Sequence, residues 1–121
     1  MIQAELKSLY STDIPDDIHK YSPDDPDRFG IMIGAFIGPL GGGSEELFYF
    51  FVCTPTWLET VIHDDMHIFG KSYLFITTYS YNVIWNAINK LCTSTSGNTW
   101  EDVGIKLSRY GDWEFENYRS I

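Results

Sequence analysis

The sequence predicts an α+β fold: a single antiparallel sheet of about four to five strands, packed by about three helices. Three observations carry this expectation. Apolar residues recur at every second position early in the chain, and at helical spacing after Thr54. Stretches rich in Gly, Pro and Asp separate the runs. With 121 residues, 44% hydrophobic and 17% aromatic, the chain can enclose one core, so residues 1–121 are read as a single domain.

The opening "IQAELKSL" sets Ile2, Ala4 and Leu6 against Gln3, Glu5 and Lys7, the alternation of a half-buried strand. Residues 11–28 hold six Asp together with Pro15, Pro23 and Pro26, which forbid a long helix there. A solvated loop is expected. "FGIMIGAFIG" then places Phe29, Ile31, Ile33, Ala35 and Ile37 on one strand face. "PLGGGS" supplies a turn, and "EELFYFFVC" returns as a hairpin partner. The apolar run from Leu47 to Cys53 fills both faces of that strand, which predicts a central position.

Thr54 is placed to cap a helix with Pro55 in its first turn, where no N–H bond is required. Trp57, Leu58, Val61 and Ile62 recur along it at helical spacing. A fourth strand is expected within "HIFGKSYLFITT". Ser80 opens a second helix with Val83, Ile84, Ala87, Ile88 and Leu91 on one side. Thr99 opens a third, whose expected buried stripe is Trp100, Val103, Leu107 and Tyr110. Gly111 is its expected stop, and Asp102 and Lys106 an expected surface pair.

The charge balance narrows the function classes. Seventeen Asp and Glu stand against eight Lys and Arg, a formal net charge of −9. Nucleic acid and anionic membranes require the opposite sign, so neither is an expected partner. A cationic partner fits. The uncharged stretch 72–89 is too polar for a membrane span, and "MIQAELKS" lacks a signal-peptide core. Cys53 and Cys92 stand in apolar surroundings without a CxxC pattern and read as buried thiols. A reducing cytoplasm is the expected location.

Catalytic motifs are absent. "HDDMH" places His63 and His67 four apart, as two zinc ligands on a helix would be, but Asp64 stands where the metallopeptidase pattern has Glu. No metal is expected. The Asp-rich loop lacks the spacing of a calcium loop, and "GPLGGGS" lacks the Lys-Ser/Thr of a phosphate cradle. Neither a cofactor nor an enzyme activity is expected.

What remains is the tail "SRYGDWEFENY". Extended, it would point Trp113, Phe115 and Asn117 one way and Asp112, Glu114, Glu116 and Tyr118 the other. One reading is a terminal strand that closes the core with solvated acids. The other adds that the acidic face receives basic side chains from a partner.

Two blocks, "VCTPTWLE" (52–59) and "TSGNTWEDVGIKLSRYGDWEFENY" (95–118), resemble the immunity protein 8 family of bacterial polymorphic toxin systems. "AELKSL" and "IGPLGGGSEELFYFFV" add to the resemblance, whose matching residues include Cys53, Pro55, Trp57, Trp100, Gly111, Trp113, Glu114 and Tyr118. The resemblance implies a small cytoplasmic α+β protein with no catalytic residues. It would bind the C-terminal domain of a cognate secreted or contact-delivered toxin and block it. "GIK" inside the third helix departs from the pattern, and Gly104 is unfavourable there by about 1 kcal/mol unless close packing requires it.

With that implication, charge favours a nuclease toxin, because such enzymes present basic active sites. The expected contact residues are Asp112, Trp113, Glu114 and Glu116, with the Asp24, Asp25 and Asp27 cluster. The alternative is a non-catalytic structural or scaffold subunit, possibly a homodimer formed through the second face of the Leu47–Cys53 strand. A metal-dependent hydrolase ranks below both. Self-association, and the choice between plugging an active site and covering a neighbouring one, stay open at this point.

Overall fold

The computed structural model describes residues 1–15 and 17–115. Among them are six strands: β1 (Ile2–Tyr10), β2 (Gly30–Pro39), β3 (Glu46–Cys53), β4 (Tyr73–Phe75), β5 (Ser96–Gly97) and β6 (Asp112–Trp113). Three α-helices accompany them: α1 (Pro55–Asp65), α2 (Tyr81–Thr93) and α3 (Trp100–Leu107). The fold is α+β with one sheet, as expected.

The strand order is β4-β3-β2-β1-β5, and β6 also pairs with β3. β4 runs parallel to β3, so the sheet is mixed rather than wholly antiparallel. The cause is the connection: α1 carries the chain back before β4 begins, which a hairpin turn would not do. β4 and β6 share the outer edge of β3, β4 at Phe51–Cys53 and β6 at Phe48–Tyr49. β3 is therefore interior, in keeping with its apolar residues on both faces.

Strand parity divides the sheet into two unlike faces. Phe29, Ile31, Ile33, Ala35 and Ile37 are all buried on the face covered by α2 and α3. Across the register they meet Phe48, Phe50 and Val52 of β3. Burying each large side chain contributes about 1.5–3 kcal/mol. In β1 the register shifts between Leu6 and Ser8, and this bulge lets Leu6 and Leu9 both enter the core despite their odd spacing. From the helices come Ile84, Ile88, Cys92, Val103 and Leu107.

All three helices begin on their expected caps. Thr54 Oγ1 accepts from Trp57 N at 3.3 Å, Ser80 Oγ from Val83 N at 3.3 Å, and Thr99 Oγ1 from Asp102 N at 3.1 Å. Thr54 also accepts from Phe29 N, which ties the start of β2 to the start of α1.

Four local expectations fail. α3 ends at Leu107, so Tyr110 lies beyond it with 57% of its surface exposed. Its cap is Ser108 in the right-handed helical region, and Gly111 instead lies buried against the Phe50 ring. Lys106 donates to the Ser96 carbonyl at 2.7 Å in place of the expected pairing with Asp102. Lastly, α1 has no buried residue, although Trp57, Leu58 and Ile62 are partly covered.

Candidate functional site

Asp112 and Glu114 flank a core tryptophan at the outer edge of β3. Trp113, directly opposite Phe48, stacks on it with ring centroids 5.7 Å apart and planes within 7°. Its indole N–H donates to Glu46 Oε1 at 3.1 Å, and Trp100 Nε1 donates to the same oxygen at 2.6 Å. At 6% exposure Trp113 belongs to the core. Its neighbours Asp112 and Glu114 are exposed.

β6 spans only Asp112–Trp113, short of the extended tail that alternation predicts. Beyond it Glu114 continues the pairing in another way. Its N–H donates to the Leu47 carbonyl at 3.1 Å, and its carboxylate accepts from Leu47 N at 3.0 Å. The side chain thus substitutes for a ladder carbonyl. Asp112 accepts from Ser72 Oγ at 2.9 Å and lies 3.7 Å from Lys71 Nζ. Glu116 and Tyr118 fall outside the described residues.

Asp24, Asp25 and Asp27 are exposed on the loop before β2. Asp25 accepts from Asp27 N at 3.1 Å, a local turn. The Asp27 carbonyl accepts from Thr56 Oγ1, which places this loop at the start of α1, where β3 ends. Glu114 is bound to Leu47, near the start of β3. Six strand residues separate the two places, roughly 20 Å at about 3.3 Å per residue. The candidate acids therefore form two groups at opposite ends of β3.

Between those groups lies the second face of the sheet, which the sequence reading singled out only as the far side of β3. Register puts Tyr10, Met32, Phe36, Tyr49, Phe51 and Tyr73 there, all half-buried. Tyr10 stacks on Phe36 at 5.5 Å, and its hydroxyl lies 3.3 Å from that of Tyr49. That hydrogen bond, then burial and the Glu114 charge, push the Tyr49 phenol up to about 12. Phe51 contacts Trp57 of α1 at 5.0 Å and Tyr73 at 5.3 Å. A period-two count of aromatics on the opposite parity would have found this face.

Cationic groups gather on the other side. A recess of about 400 Å³ beside α2 is floored by Phe50, Leu74 and Ile88 and rimmed by Lys71, Lys90 and Arg109.

Nucleophilic chemistry has little support. Burial pushes the Cys53 thiol up to about 11 and the Cys92 thiol up to about 12, so both are protonated at neutral pH. α1 stops at Asp65, with Met66 left-handed at φ 64°, so His63 and His67 do not share a helix face. Among the described residues no three His, Cys, Asp or Glu side chains are grouped to hold a metal.

The family model described as Immunity protein 8 matches residues 4–118. The chain belongs to the immunity protein 8 family. Searches of curated proteins and of solved structures find no match. Family membership makes this an immunity protein directed against a toxin, with a cognate toxin as its binding partner. Immunity proteins of this kind are generally not catalytic. No helix among the described residues is long and apolar enough to cross a membrane. In this immunity protein Asp112 and Glu114 are hydrogen-bonded at the sheet edge.

Proposed function

We propose that this immunity protein neutralises the C-terminal domain of a secreted or contact-delivered toxin with a basic working surface, a nuclease by preference. Asp112, Glu114 and Glu116 would supply the principal charges, and Asp24, Asp25 and Asp27 a second acidic contact at the other end of β3. Trp113 serves the site by anchoring the segment that carries its neighbours, through its own contacts with Phe48 and Glu46. The observation that carries the reading is the rigid display of Asp112 and Glu114 on a chain of net charge −9. Charges held in place steer a cationic partner without first having to be ordered. The protein would act by occupation and contribute no reacting group.

The test uses the toxin domain encoded beside this gene, expressed in a bacterial host with and without the immunity protein. Rescue of growth with a one-to-one complex supports the reading. Persistent toxicity without binding, repeated for neighbouring candidate toxins, rejects it. Glu114→Lys combined with Glu116→Lys then probes the surface. Unchanged affinity and unchanged salt dependence would show that these acids are not in contact.

A further inference from the structure

We infer that the cognate toxin docks on the aromatic face of the sheet opposite α2 and α3, where a basic protein surface would bind across the aromatics and meet carboxylates at their borders. This rests on the reading as an immunity protein and adds where, and with what, the partner is gripped.

Two observations lead to the face. α2 and α3 both pack on the opposite side, and α1 meets this face through Trp57, which lies over Gly30 and Phe51. The aromatics of β3 and its neighbours are consequently half-exposed, and Phe75 on β4 is 48% exposed. Tyr10, Met32, Phe36, Tyr49, Phe51 and Tyr73, gathered in this way, match the composition of interface cores.

Charge then selects the occupant. Asp112 stands directly opposite Tyr49 in the register, and the Glu114 charge acts on the Tyr49 phenol. On the far side, the Asp13 carboxylate accepts from Met32 N at 2.9 Å and is exposed. Two ammonium groups already face carboxylates, Lys7 beside Glu5 and Lys71 beside Asp112. Lys90 and Arg109 border the recess on the helix side. A basic surface finds opposite charge here, whereas a second copy of this acidic chain would set like charges against each other.

The test measures binding of the full-length protein to the purified cognate toxin domain by surface plasmon resonance. Phe75→Lys alters a side chain of the face that is 48% exposed. Phe36→Ala probes the middle of the face, with circular dichroism as a check. Val83→Ser and Ile105→Ser on α2 and α3, 47% and 40% exposed, are the controls. The face variants are expected to weaken binding at least about tenfold, mainly through faster dissociation, and the controls to stay within about twofold.

Loss of affinity confined to the controls overturns the inference while leaving immunity intact. So does sedimentation showing a homodimer that Phe75→Lys dissociates while toxin binding is unchanged. Failure of the wild-type protein to bind or rescue rejects the underlying immunity reading before any variant is considered.

Discussion

Gly104 lies directly against Trp113: a Cβ built on this glycine would stand 2.5 Å from Cη2 of the indole. Gly104 is therefore a close-packing residue, and the helix accepts its poor propensity so that the tryptophan can reach Phe48. Gly104→Ala should gain about 1 kcal/mol of helix propensity and lose more to overpacking. We expect a net loss of about 1–2 kcal/mol in urea unfolding. Trp113→Phe combined with Gly104→Ala should recover part of it, which a double-mutant cycle will measure.

Glu46 is the second support of the tail, because one carboxylate oxygen accepts from both Trp100 and Trp113. Glu46→Ala removes that shared acceptor and should cost about 1–3 kcal/mol. Glu46→Gln keeps a carbonyl acceptor and should cost less. Urea denaturation of the two variants checks the order; equal losses would mean that the indoles draw little from this oxygen.

The buried thiols give the protein an alkaline limit. Both folded values, about 11 for Cys53 and about 12 for Cys92, lie above the ordinary 9.0. Above that ordinary value the unfolded chain releases thiol protons that the folded chain retains, so the unfolded state binds fewer and stability falls as pH rises. The thiol contribution is fully present below about pH 9 and is lost towards pH 11–12. Denaturant midpoints measured from pH 8 to 11 should decline, and Cys53→Ala with Cys92→Ala should flatten the decline. At pH 8 both thiols should resist a soluble disulfide reagent until the protein is unfolded.

Asp24, Asp25 and Asp27 lie on the loop that meets the start of α1, at the other end of β3 from Glu114. Converting all three to Asn should slow toxin association a few-fold at low salt and leave dissociation nearly unchanged, since exposed charges act mainly through steering. Stopped-flow kinetics at two salt concentrations will show it. A large rise in dissociation rate would place this loop inside the interface.

Local chemistry made much of the fold legible. The three caps were readable because a Ser or Thr side chain satisfies backbone donors only a few residues away. The buried face of β2 was readable because strand parity is strict. The parallel placement of β4 was not, since three residues on a sheet edge carry no record of their direction. Tyr110 continued the helical stripe of Trp100, Val103 and Leu107, but α3 had already ended. At the candidate site the exposed acids were legible from composition. The brevity of β6 was not, because it depends on Glu114 meeting Leu47, a contact between residues 67 positions apart. The aromatic face was present in the sequence as the second parity of β2 and β3. The positions of the helices distinguish the covered side from the half-exposed one.

The rings of that half-exposed face lie over glycines. Tyr10 rests on Gly34 and Trp57 on Gly30, each where a side chain on the strand would collide with the ring. A ring laid against bare backbone is already confined to one orientation. When another molecule covers it, little side-chain rotation is left to freeze, so more of the contact energy appears as affinity. Gly34→Ala or Gly30→Ala would lift the ring, and a protein that still folds could grip its partner less firmly without losing a single contacting side chain.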